Sequence, residues 1–198
     1  MVMDKIAVIL AGGKSQRFGG DKVFVPFRGK PIINVLIEIL SSAHFEVVLS
    51  GSKEGLSSLS LPVIEDQDPF LGPLVALQGI LSHLDDSKIL LTACDMPFLK
   101  KEIITLLWDR GRDQDVAILT DRDRPCPLPG VYSRKILPTL RQLIKSGRRD
   151  LKSLLDSKAT VSLLPEGDWR TLDSEGQSLW NINTVEDLHR IENRLQRL

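Results

Sequence analysis

The chain has 198 residues, 42% of them hydrophobic and 26% charged, which suits one domain with a sizeable core and no covalent staples. The 26 Lys and Arg balance the 26 Asp and Glu, so the formal net charge of zero argues against wholesale binding to nucleic acid or to an anionic membrane. Cys94 and Cys126 stand in no metal-ligand spacing, which speaks against a disulfide framework or a structural zinc site and suits a reducing cytoplasm. The first apolar run, Ile6 to Ala11, is too short for a signal segment or a membrane span. The expectation is a soluble cytoplasmic protein with no nucleic-acid or membrane partner.

In chain order, Ile6 to Leu10 reads as a strand buried on both faces, of the kind found in parallel sheets. Pro31 to Ala43 has helical spacing, with Ile32, Val35, Leu36, Ile39 and Leu40 on one face and Pro31 suited to the first turn. Strands follow at 46–50 and 61–64, a helix at 72–84 started by Pro73, a strand at 88–93, a helix at 100–110 and a strand at 115–119. The last third is less regular. Arg124 to Gly130 carries three prolines, Val131-Tyr132 reads as a short strand, and 133–145 and 149–156 read as helices, with Pro138 awkward inside the first. A strand at 159–164 and a closing helix from 183 or 184 to about 195 complete the order.

Alternating strands and helices over the first 120 residues predict an α/β fold with a mostly parallel central sheet flanked by helices. Open sheets of that kind bind ligands at the carboxyl ends of their strands. The loops at 11–30, 50–55, 65–72 and 94–98 are therefore expected to converge on one cleft.

The strongest local feature is the loop after the first strand, Leu10-Ala11-Gly12-Gly13-Lys14-Ser15-Gln16-Arg17-Phe18-Gly19-Gly20-Asp21-Lys22. Glycines let the backbone turn sharply and bring bare amides near a ligand. Lys14, Arg17 and Lys22 add three cations, the set a triphosphate needs as charge builds on its oxygens. The spacing matches neither the Walker A loop nor the dinucleotide fingerprint. Asp95, two residues past the apolar strand 88–93, is a candidate Mg²⁺ ligand, because Mg²⁺ takes one or two carboxylates alongside phosphate oxygens and water. Read alone, it is better explained as a solvated loop aspartate or a helix N-terminal charge before Lys100; its loop position and the phosphate-binding signal elsewhere reverse that ranking. Asp66 and Asp68 lie in a Glu-Asp-Gln-Asp-Pro turn, where a carboxylate can accept from a purine edge or simply form a turn.

Leu-Ala-Gly-Gly-x-Ser-x-Arg-x-Gly-x-Asp-Lys, from Leu10 to Lys22, resembles the signature of the molybdenum cofactor guanylyltransferases. Asp66 before Gly72-Pro73-Leu74, Cys94-Asp95-Met96-Pro97, Pro129-Gly130-Val131-Tyr132 and Asn181-Ile182-Asn183-Thr184 are similar to later segments of that family, in the same order. The resemblance implies a nucleotidyltransferase architecture, glycosyltransferase-A-like and Rossmann-like. It implies one domain over 1–198, with 1–120 as the nucleotide-binding part and 121–198 as the acceptor-side part.

The implied reaction transfers GMP from GTP to molybdopterin and releases pyrophosphate, with Mg²⁺ as cofactor. The implied roles place Leu10, Ala11, Gly12 and Gly13 along the nucleotide, Lys22 on the phosphates, Asp66 on the nucleoside side and Asp95 on magnesium. Arg17, Lys22 and Asp95 then carry catalysis. Asn181 and Asn183, with the basic pair Arg148 and Arg149, are candidates for the acceptor side. The family often has an Asn after the second strand where this chain reads Ser50-Gly51-Ser52, and a serine hydroxyl could take its place. No Ser/His/Asp triad is visible, which agrees with phosphoryl-type transfer, where positioning and charge neutralisation dominate. The alternatives are a sister enzyme that uses CTP or builds a nucleotide sugar, and a non-catalytic nucleotide-binding assembly factor. Proteins that deliver and receive the cofactor would be transient partners.

Overall fold

The structure, a computed structural model, describes residues 5–12, 22–66, 71–85, 88–184, 186–187 and 190–191. Seven strands form one sheet: β1 (Ile6–Leu10), β4 (Glu46–Gly51), β5 (Val63–Glu65), β6 (Lys88–Ala93), β7 (Val116–Asp121), β8 (Arg124–Ser133) and β9 (Val161–Leu164). Their order across the sheet is β5-β4-β1-β6-β8-β7-β9. The first four are mutually parallel, β8 runs against both of its neighbours, and β9 is parallel to β7. Two two-residue strands, β2 (Pro26–Phe27) and β3 (Lys30–Pro31), make a separate hairpin that the sequence patterning does not predict.

Strand alternation sorts the core into two layers. Ala7 and Ile9 face α1 (Ile32–Ser42) and α4 (Lys101–Arg110), whose Ile33, Leu36, Leu40, Ile103, Ile104 and Leu107 are fully buried. Ile6 and Val8 face the other way, toward α3 (Pro73–His83) and α5 (Leu137–Lys145). Connectivity explains the split. The chain steps outward from β1 to β4 and β5, then returns to β6 on the far side of β1. Right-handed crossovers then put α1 and α3 on opposite faces, and α4 joins α1 on its face by packing. The reversal leaves a crevice at the carboxyl ends of β1 and β6, the place where open α/β sheets hold ligands.

Several sequence expectations are corrected in detail. Pro31 lies before α1 with extended backbone and not in its first turn. The proline-rich stretch 124–130 is the first part of a ten-residue strand. Only residues 130–133 of β8 pair with β6, so Pro125 and Pro127 fall where that side of the strand carries no partner and a missing N–H costs little. Pro138 is also resolved: Arg134–Ile136 forms a 3-10 turn, and α5 starts afresh with Pro138 in its first turn. Residues 151–156 are 3-10 and not α-helical. A short α2 (Lys53–Leu56) follows β4, and a short α6 (Glu166–Trp169) follows β9.

Candidate functional site

The loops after β1, β4, β5 and β6 meet as expected, and backbone hydrogen bonds tie them together. Ala11 N–H donates to the Ser50 carbonyl at 2.8 Å, Asp66 N–H to Gly51 at 3.3 Å, and Cys94 N–H to Leu10 at 3.1 Å. The parallel ladder thus continues one residue past the strand ends and fixes the floor of the crevice.

Gly12 sits on that floor, exposed, with the Asp66 carboxylate directly against it. A Cβ built on Gly12 would lie 2.5 Å from Asp66 Oδ2. Ser50 is buried, and its hydroxyl donates to Asp66 Oδ1 at 2.9 Å. The serine that stands where an Asn was expected therefore orients the neighbouring aspartate. Its signal in the sequence was the departure from the family pattern, and its role is visible only in three dimensions.

Asp95 begins the loop after β6 and is 9% exposed. Its carbonyl accepts from Ile182 N–H at 2.9 Å, which brings the Asn181-Ile182-Asn183 segment against it. Ile182 is fully buried and both asparagines are exposed, as their alternation implies. The helix start that follows belongs to Thr184, whose hydroxyl accepts from Asp187 N–H at 3.0 Å.

The basic turn at 145–150 is partly structural. Gly147, with φ +87°, and Arg148 close the end of α5, and the Arg149 guanidinium folds back onto the carbonyls of Ile144 and Arg148. The turn nevertheless lies at the carboxyl edge, because the Arg149 carbonyl accepts from Leu74 N–H at 3.1 Å, at the start of α3. Gly72 makes that approach possible: its φ is +101°, and a Cβ there would come within 2.7 Å of the Arg149 carbonyl.

Gly13, Lys14, Arg17 and Asp68 lie outside the described residues, as does the side chain of Lys22, which opens the 3-10 turn Lys22–Phe24. His44 and His83 are exposed, and no group of three or more His, Cys, Asp or Glu is placed to hold a metal among the described residues. One carboxylate such as Asp95 still fits Mg²⁺, which relies on substrate phosphates and water for its other ligands.

The segments that meet in this crevice are those of a known family. The MobA-like NTP transferase domain matches residues 7–161. The chain belongs to that family. It is 32% identical over 187 residues to a probable molybdenum cofactor guanylyltransferase of Carboxydothermus hydrogenoformans, covering 92% of each chain. It is 30% identical to the molybdenum cofactor guanylyltransferase of Desulfosudis oleivorans, covering 96% of each. Among solved structures, molybdopterin-guanine dinucleotide biosynthesis protein A of Archaeoglobus fulgidus superposes with a TM-score of 0.83 at 29% identity, covering 98% of this chain and 100% of that one. The protein is a nucleotidyltransferase of this family, and the fold expected from the sequence is the fold observed. No helix among the described residues is long and apolar enough to cross a membrane.

Proposed function

We propose that this chain transfers GMP from GTP to the terminal phosphate of molybdopterin, with Mg²⁺ as cofactor. The observation that carries the reading is the crevice at the β1–β6 reversal, where Gly12 lies against Asp66 and the Asp95 loop starts beside Leu10, in a chain whose relatives are named for that reaction. In the reaction, an oxygen of the acceptor phosphate attacks the α-phosphorus of GTP. The bond from that phosphorus to the bridging oxygen breaks, and pyrophosphate leaves with the electron pair. A phosphate monoester has its second pKa near ~6, so the attacking oxygen is already anionic at neutral pH. No general base is required, which agrees with the exposed His44 and His83 and with the lack of a visible triad in the sequence.

The residues then have separable tasks. The backbone of Leu10, Ala11, Gly12 and Gly13 lines the nucleotide, and Asp66, oriented by Ser50, accepts from its nucleoside part. Lys14, Arg17 and Lys22 bring two anionic substrates together, with Lys22 on the donor phosphates. Asp95 would hold Mg²⁺, which supplies charge neutralisation on the phosphates when bound. Asn181 and Asn183 face the acceptor across the Asp95 loop, and Arg148 and Arg149 offer charge at the same edge. Proteins that pass the cofactor on would meet this edge transiently.

The deciding experiment is pyrophosphate release with each of the four NTPs, with Mg²⁺ and with molybdopterin present or absent. Release with GTP alone among the nucleotides, and only with both Mg²⁺ and molybdopterin, is the expected result. Preference for CTP would overturn the guanine assignment. Nucleotide binding without release would make the chain a non-catalytic assembly factor.

A further inference from the structure

The loop from Asp95 to Lys100 is pinned by a segment nearly eighty residues downstream. Ile182 N–H donates to the Asp95 carbonyl at 2.9 Å. The Trp180 and Phe98 rings meet edge to face with centroids 5.8 Å apart. Lys100 N–H donates to Ser178 Oγ at 3.1 Å. The partners run in opposite senses, 95 with 182, 98 with 180 and 100 with 178, so the two segments are zipped antiparallel along the loop's whole length.

Asp173 closes the far end of this zip. Its side chain is fully buried, and both oxygens are used. Oδ1 takes the Lys100 ammonium at 3.0 Å and Gln177 N–H at 3.1 Å, and Oδ2 takes Ser178 N–H at 2.7 Å. Burial pushes the carboxyl up, but the hydrogen bonds from Ser178 and Lys100 outweigh it and hold it below the usual aspartate range. A buried carboxylate is costly unless every contact is in place, so it fixes the positions of its donors more sharply than an apolar side chain would. Those donors are the residue that ends the Asp95 loop and the amides that start the strap.

We propose that Asp173 is a positioning residue. Through Lys100 and Ser178 it holds the Asp95 loop and the Asn181–Asn183 strap in one fixed relation, so that the Asp95 carboxylate is aimed into the crevice before substrate arrives. The inference rests on the reading of Asp95 as the metal carboxylate and extends it to a group that touches neither substrate nor metal. Its location supports this role: the carboxylate braces the loop that carries Asp95, whose Leu99 packs with Leu179 of the downstream segment at the margin of the α1 and α4 core layer.

The test is Mn²⁺ binding to the full chain in the presence of α,β-methylene-GTP, which cannot transfer its nucleotidyl group, followed by the electron paramagnetic resonance of free Mn²⁺. Asp173→Asn keeps the shape but turns one acceptor into a donor facing a donor. Ser178→Ala removes the acceptor for Lys100 N–H and the hydroxyl that bonds to Asp173, while Asp173 keeps the Lys100 ammonium and the two backbone amides. Both are expected to weaken Mn²⁺ on the order of tenfold, the usual scale for a group that orients a metal ligand, while binding of the analogue without metal stays unchanged. If Asp173→Asn fails to fold, Ser178→Ala decides alone. Wild-type Mn²⁺ affinity with a lowered melting temperature would make the latch purely structural and overturn the proposal. Asp95→Asn is measured alongside. If it weakens Mn²⁺ and the latch variants do not, only the positioning role fails. If it too leaves Mn²⁺ bound as in the wild type, the metal reading of Asp95 falls and the positioning role falls with it.

Discussion

The two sides of the crevice are built in different ways. On the side proposed for the nucleotide, Leu10, Ala11, Ser50, Gly51 and Asp66 stand at the ends of adjacent parallel strands, and the sheet's own hydrogen bonding sets their spacing. On the side proposed for the acceptor, the strap from Asp173 to Asn183 has no strand and only a three-residue 3-10 turn. Beside the backbone bond from Ile182 N–H to the Asp95 carbonyl, it is held by the side chains of Asp173, Ser178, Trp180 and Ile182, each reaching the Asp95 loop or the small apolar cluster of Phe27, Ile32 and Ile191. A ladder tolerates many side chains because its bonds are backbone bonds. A strap held by side chains depends on each one, so equal substitutions should have unequal consequences on the two sides.

Asp95 joins the two sides, and its loss is expected to have the largest effect. Asp95→Asn should lower guanylyl transfer on the order of 10²–10³-fold while the circular dichroism spectrum is kept. Turnover near the wild-type value at limiting Mg²⁺ would remove Asp95 from the chemistry.

On the ladder side, the sharpest substitution is one that adds an atom. Gly12→Ala places a Cβ against Asp66 Oδ2 and must push that carboxylate from Ser50. The expected loss in GTP affinity is about tenfold, equivalent to ~1.4 kcal/mol and within the usual cost of overpacking. In an Asp66→Ala background the same change should cost much less, because the colliding group is gone. Equal losses in both backgrounds, read by calorimetric titration of GTP, would show that Gly12 matters for its own backbone and not for Asp66.

The smallest effect separates stability from binding within the strap. Thr184→Ala removes a helix cap and should cost about 1 kcal/mol, a fall in melting temperature of about 2–4 °C for a chain of this size, with molybdopterin affinity spared. Asn183→Ala should do the reverse, weakening molybdopterin while GTP affinity and melting temperature hold. Intact molybdopterin affinity in Asn183→Ala would take the acceptor away from this strap.

How much of this was legible in the sequence follows the same division. The five central-sheet strands that begin in the first 120 residues, with α1, α3 and α4, are carried by local periodicity, and their boundaries agree to within about two residues, whereas the β2–β3 hairpin and α2 are not. The positions of Gly12, Asp66 and Asp95 at one edge were legible because each follows a strand, and a parallel sheet must deliver such residues there, whereas the roles proposed for them rest on the family resemblance. Prolines hid β8, since whether a missing N–H matters depends on which neighbour pairs at that residue, and only the sheet order decides this. Ser50-Gly51-Ser52 departs from the family pattern, but which serine matters depends on the Ser50 bond to Asp66, which joins residues 16 apart through two strand ends.

The sequence by itself determined the alternation of elements, the two-faced burial of the early strands and the family to which the loop motifs belong. Each of these depends on neighbours within a few positions, through helix and strand periods or the backbone freedom of glycine. The tertiary structure decided which groups touch. Asp173 carries no motif and lies 73 residues beyond its Lys100 partner, so no local rule marks it. It became a candidate only when folding withdrew its carboxylate from water and left the donors of Lys100, Gln177 and Ser178 to replace that water.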